Sequence, residues 1–135
     1  MLQKISGDTN SINWFEIPAL DLERARKFYE TVLDIRMESQ TMPTGEVMVF
    51  FPRRPDTIMA LSGIVSGALI KNDHTKPSAE GTLVYLNASP LLSVAVDKVA
   101  AAGGKVIQAP NKIPAGNIAI ILDTEGNRVG LHAEN

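Results

Sequence analysis

The stretch that decides the fold is Trp14-Phe15-Glu16-Ile17-Pro18-Ala19-Leu20-Asp21-Leu22-Glu23-Arg24-Ala25-Arg26-Lys27-Phe28-Tyr29. The run that enters it, Ile12 to Ile17, is short, β-branched and aromatic, and Pro18 stops it, which predicts a strand. Asp21 stands where a helix N-cap belongs, with Glu23 in the first turn. Apolar groups then follow at Leu22, Ala25, Phe28, Tyr29, Val32 and Leu33, the spacing of one helix face. Arg24, Arg26, Lys27 and Glu30 fall on the opposite face, so the helix should lie on something flat and apolar.

Past this helix, Ile35 to Ser39, Val47 to Phe51 and Ile64 to Ile70 are strand-like runs bounded by breakers. Lys71 to Gly81, with Asn72, Asp73, Pro77 and Ser78, has linker chemistry. The pattern then begins again. Thr82 to Asn87 reads as a strand, Ser89-Pro90 as an N-cap with proline at the first helical position, and Leu91 to Ala102 as a helix ended by Gly103-Gly104. Lys105 to Gln108, Ile118 to Leu122 and Val129 to Ala133 follow, matching Ile35 to Ser39, Val47 to Phe51 and Ser66 to Ile70. Trp14 overlays Leu83 at an offset of 69 residues, with one extra residue needed at the second helix. Two copies of one α+β unit in a single domain over residues 1–135 are therefore expected, module one about 10–71 and module two about 81–135.

A length of 135 residues suits one domain, and 44% apolar with 21% charged residues is globular chemistry and not that of a disordered chain. Thirteen Lys and Arg against 15 Asp and Glu leave a formal charge of -2, too little positive charge to make nucleic acid an expected partner. No apolar stretch approaches a membrane span, and MLQKISGDTNSINW does not read as a secretory signal, so a cytoplasmic protein that does not engage a membrane is expected. Cysteine is absent, which removes disulfides, thiolate metal sites and cysteine nucleophiles together. There are only two histidines, His74 and His132.

The opening stretch resembles the start of vicinal oxygen chelate proteins, the group that holds glyoxalase I, bleomycin-resistance proteins and extradiol dioxygenases. Leu122-Asp123-Thr124-Glu125-Gly126-Asn127-Arg128-Val129-Gly130-Leu131-His132 is similar to that family's last hairpin, and Val84 to Asn87 and Ala101 to Val106 also match. The resemblance implies tandem βαβββ modules whose strands curl into a half-open barrel around a central cavity, often with a second subunit flanking the site. In metal-dependent members the ligands come from the first and last strand of each module. Carried over, those positions are Trp14, Gly67, Leu83 and Gly130, none of which binds a metal. Glu16 and His132 offer at most a weak pair, so no metal and no cofactor are expected.

Strand alternation sets Glu16 beside Trp14, and Tyr85 beside Leu83, on the cavity face. Trp14 reads either as an aromatic wall for a flat ligand or as a plug in the space of a metal. Glu16, if enclosed, could serve as a general base, and His132 is the proton-transfer candidate by residue type, although a lone histidine is more often structural. The ligand pocket is expected around Trp14, Glu16, Met48, Phe50, Tyr85 and His132, with Pro52 to Ser62 and Pro110 to Asn117 as loops. Asp123 to Asn127 reads as turn chemistry, and Arg53-Arg54, beside Pro52 and Pro55, could meet an anion but reads better as an exposed loop pair. The second helix is apolar over more than one stripe, which suits a homodimer interface. Three functions stay open: metal-independent binding of a small molecule, a lyase or isomerase using Glu16 or His132, and sequestration of an antibiotic.

Overall fold

A computed structural model describes residues 5–135; residues 1–4, part of the stretch read for a signal, lie outside it. In the first module, β1 (Trp14–Pro18) leads into α1 (Leu22–Leu33). There follow β2 (Glu38–Thr41), β3 (Val47–Phe50), the single turn α2 (Met59–Ser62) and β4 (Ser66–Ile70). The second module runs β5 (Tyr85–Asn87), α3 (Leu92–Val99), β6 (Lys105–Ile113), β7 (Gly116–Leu122) and β8 (Arg128–Ala133). Each module builds one four-stranded mixed sheet, ordered β1-β4-β3-β2 and β5-β8-β7-β6, in which the first and last strands pair in parallel. The chain is thus α+β with two βαβββ units, and its two sheets do not close into a barrel.

The expected cap at α1 forms, since Asp21 accepts the Arg24 amide at 3.0 Å, and Ala25, Phe28, Tyr29 and Val32 are buried. The helix faces of both sheets meet in one core. Ile17, Val49, Phe51 and Leu69 from the first and Leu86, Ala119, Ile121 and Leu131 from the second join α1 and α3 in it. Strand alternation turns the other set of side chains away from the helices.

The start of α3 differs from the expectation. Leu91, not Ser89, is its N-cap and supplies no side-chain bond. The first helical amide, of Leu92, instead donates to the carbonyl of Asn135 at 2.8 Å, while the Ser89 hydroxyl accepts the Glu134 amide at 3.3 Å. The chain end therefore does the capping. Residues Thr82 to Val84 stay outside β5, and Pro110 to Asn117 is no loop but a hairpin whose arms extend β6 and β7 around Pro114-Ala115.

The internal repeat can be registered by its hydrogen bonds. Ala19 donates to the carbonyl of Ile70 at 2.8 Å, and Ala88 to that of His132 at 2.7 Å. Ala88 lies 69 residues after Ala19, the expected offset, but His132 lies only 62 after Ile70. The last strands therefore match one residue away from the sequence overlay, and the counterpart of Gly130 is Ala68, not Gly67. Ala68 pairs with Glu16 as Gly130 pairs with Tyr85, whereas Gly67 points to the helix side against Phe15. A slip of one residue changes the face of a strand, which is why this position misled.

Candidate functional site

On the first sheet's face away from the helices, Phe50, Ala68 and Ile70 form a buried apolar cluster, with Trp14, Met42 and Met48 packed on it. Trp14 meets Phe50 edge to face, ring centroids 5.9 Å apart, the arrangement favoured by aromatic quadrupoles. The Trp14 indole N–H points to Glu16 Oε2 at 3.4 Å, a long contact to the carboxylate two residues along the strand. Glu16 is exposed and not enclosed. The Arg53 guanidinium carbon stands 4.2 Å from the centroid of Phe50, within cation–π range.

Four of the six sequence candidates, Trp14, Glu16, Met48 and Phe50, thus share one face. Tyr85 and His132 lie on the second sheet, on the face that carries Gly130. Tyr85 covers Gly130, and its side chain is 45% exposed. His132 Nε2 is 2.8 Å from the carbonyl of Ala115 at the β6–β7 turn, so one ring nitrogen is already engaged. No described cavity holds all six residues. Trp14 and Glu16 line a depression of about 410 Å³ along the seam between the modules, walled also by Lys76, Glu80, Thr82 and Arg128. Tyr85 lines a second, of about 420 Å³, with Phe15, Leu33, Phe51 and Val84. Sequence reading missed Lys76, Glu80 and Arg128, for which neither spacing nor periodicity gave a signal.

The positions implied for metal ligands do not suit a metal in either register. Trp14, Ala68, Leu83 and Gly130 carry no donor to a divalent ion, and Gly67 carries none either. Among the described residues, no three His, Asp or Glu side chains converge where they could hold an ion. His74 sits apart, in the linker, where Asn72 Oδ1 accepts its backbone amide at 2.8 Å.

The acidic turn Asp123 to Asn127 is structural, and its bonds reach further than a turn requires. Asp123 Oδ1 accepts the amides of Glu125 and Asn127, and its Oδ2 accepts the Tyr29 hydroxyl and the Asn127 side chain. Gly126, at φ 93°, permits the tight return. Glu125, whose side chain is fully buried, accepts the amides of Leu20 and Asp21, both at 2.8 Å, and two bonds from the Arg24 guanidinium. Burial alone would raise the Glu125 carboxyl. The Arg24 bond, the Asp21 amide, the Thr124 hydroxyl and the Leu20 amide together overcome it and hold the group at about 2. Asn127 donates to the Pro18 carbonyl at 2.7 Å, so this one turn fastens the second module to the β1–α1 corner that begins the first.

The comparisons with known proteins agree with this architecture. The model of the Glyoxalase/Bleomycin resistance protein/Dioxygenase superfamily matches residues 11–131. A glyoxalase/bleomycin resistance protein from Albidiferax ferrireducens T118 superposes with a TM-score of 0.64 at 16% identity, over 93% of this chain and 100% of that one. Another from Streptomyces sp. CB03234 gives 0.60 at 24% identity, over 88% and 96%. A glyoxalase I mutant from Zea mays gives 0.59 at 18% identity, over 90% of this chain but 45% of that larger one. At these identities the likeness is one of fold. No curated protein is significantly similar in sequence. No described helix is long and apolar enough to cross a membrane. With its paired modules, its closing turn and a family match running from β1 to β8, the chain belongs to the glyoxalase/bleomycin resistance protein/dioxygenase superfamily.

Proposed function

We propose that the chain is a metal-independent small-molecule-binding protein of this superfamily, with its ligand held on the helix-averted face of the first sheet. The observation that carries the reading is the Trp14 group: a half-buried indole, its N–H turned toward Glu16 and its ring braced edge-on by Phe50, beside the seam depression. A large ring packed on an apolar cluster presents a ready surface to a flat ligand, with little further ordering cost on binding. The ligand positions without donor atoms support metal independence, since a divalent ion needs several converging N or O atoms.

A homodimer is part of the proposal. Tyr85 and His132 stand on a different sheet from Trp14, and a second copy of the chain would bring another such face to the group. Leu91 and Val94, about half exposed, on and just before α3, are apolar surface available to such contact.

The test is a thermal-shift screen of small molecules, because a ligand that binds the native state raises its stability. Hits are then titrated against Trp14→Ala. Stabilising compounds whose affinity falls at least tenfold in the variant support the reading. Compounds that bind equally well without the indole overturn it, as does a screen with no hits. Sedimentation showing a monomer at micromolar concentration removes the dimer.

A further inference from the structure

We propose that this site takes flat aromatic carboxylates, and that Arg53 receives the acid group; the inference rests on the binding reading above. Arg53 follows β3 after Phe51 and Pro52, and its guanidinium lies over the Phe50 ring. Among the described residues the ion pairs are Arg24 with Glu125 and Arg26 with Glu23 and Glu30, so Arg53 has no carboxylate of its own. A guanidinium held on an aromatic face keeps its in-plane N–H groups free, and those are the donors that grip a carboxylate through two parallel bonds.

The space beside it fits a head group. Arg36, Glu38, Phe50, Phe51, Pro52 and Arg53 line a depression of about 230 Å³. Ligand pockets usually run from about 300 to 1,000 Å³, so this one accepts the charged end of a molecule and leaves the rest outside. Two guanidinium groups against the single carboxylate of Glu38 make its charge net positive. Phe50 belongs both to this depression and to the Trp14 cluster, so a ligand whose acid enters here lays its body toward Trp14, Met42 and Met48. Those side chains are aromatic or polarisable and suit a planar conjugated ring. Two carboxylates flank that floor: Glu16, which accepts the indole N–H, and Glu38, the cross-strand partner of Phe50, which faces two guanidinium groups. One residue thus links an apolar platform to a free cation.

The probes are cinnamate, a flat conjugated acid, and cinnamamide, its neutral counterpart of the same shape. Trp14 is the sole tryptophan, so its indole N–H gives a single identifiable signal in a proton–nitrogen correlation spectrum. Cinnamate should shift that signal saturably, with a Kd about tenfold or more below that of cinnamamide, the ratio expected for one charge-assisted contact. Arg53→Gln should bring the two affinities together, whereas Arg54→Gln, a change at the exposed neighbour, should leave the ratio intact. Equal binding of acid and amide to the native protein overturns the carboxylate assignment while leaving a site at Trp14 standing. A ratio that survives Arg53→Gln overturns the role of Arg53. If neither probe moves the indole signal at millimolar concentration, the placement of the site at Trp14 falls, and the carboxylate assignment with it.

Discussion

The Tyr29 hydroxyl donates to Asp123 Oδ2 at 2.6 Å, a bond from the first helix of one module to the last turn of the other, completely buried. Burial, then the charge of Asp123 and this bond, raise the Tyr29 phenol well above its ordinary value. A group raised in the folded state contributes stability that is complete below its unfolded value, about 10, and is lost as pH rises beyond it. Tyr29 should therefore ionise only as the fold opens. Tyr29→Phe, which removes one of the four donors to a buried carboxylate, should cost about 2 kcal/mol. Urea unfolding measures the loss, and a phenolate absorbance titration should show one native tyrosine ionising together with unfolding.

Glu125 works in the opposite direction. Its folded value of about 2 lies below the 4.5 of a free carboxyl, so its contribution is present above pH 4.5 and fades as pH falls toward 2. Integrated over that window, and discounted for solvent screening at the half-exposed Arg24, the contribution is on the order of 2 kcal/mol. Glu125→Gln keeps acceptors for the Leu20 and Asp21 amides but loses the charge facing Arg24. It should destabilise the protein by roughly 2 kcal/mol at neutral pH and flatten the stability profile between pH 4.5 and 2. Urea unfolding repeated at several pH values checks both, and an unchanged acid limb in the variant would show that Glu125 is not the group responsible.

The two glycines at the ends of the repeat should respond differently to one added methyl. At Gly67 a Cβ would collide with the Phe15 backbone carbonyl as well as its ring, inside the core. At Gly130 the obstacle is the Tyr85 ring, which is partly exposed and able to swing outward. Gly67→Ala should cost about 3 kcal/mol, and Gly130→Ala about 1 kcal/mol or less. Comparing their thermal unfolding tests the assignment of Gly67 to the helix side, and equal losses would contradict it.

Much of this fold could be read from local chemistry. Asp21, the apolar spacing of α1 and the 69-residue offset of the first strands each follow from short-range pattern. What escaped depends on distant parts of the chain. Asp123 to Asn127 has the composition of a turn and is one, yet nothing local says that Glu125 reaches Arg24 or that Asn127 reaches Pro18. The Asn135 carbonyl that caps α3 is likewise invisible from Ser89-Pro90. Past Gln108 most of the β6 side chains are exposed and the register shifts, so no alternation marks the strand's continuation, and Pro110 looked like a breaker. At the site, the Trp14–Glu16 neighbourhood followed from period two, because both lie on one strand. Whether Tyr85 and His132 share a cavity with them depends on how two sheets pack, which no periodicity encodes.

The donor chemistry at the family's ligand positions leads to the last prediction. Trp14, Ala68, Leu83 and Gly130 place an indole, a methyl, an isobutyl group and a hydrogen where carboxylates or imidazoles would be needed. Protein purified without a histidine tag should hold zinc, nickel, manganese and iron at far below one equivalent by elemental analysis. Adding these ions should not raise its thermal stability, since only a ligand favouring the native state does so. Restoring a donor by Gly130→Glu should not create a site, because Tyr85 occupies the space above that position and one carboxylate has no partners within reach. Stoichiometric metal in the native protein ends the metal-independent reading and requires donors from outside these four positions, of which Glu16 and His132 are the nearest by residue type. The Glu16→Gln and His132→Gln variants then locate the metal, since its loss in both assigns it to that pair.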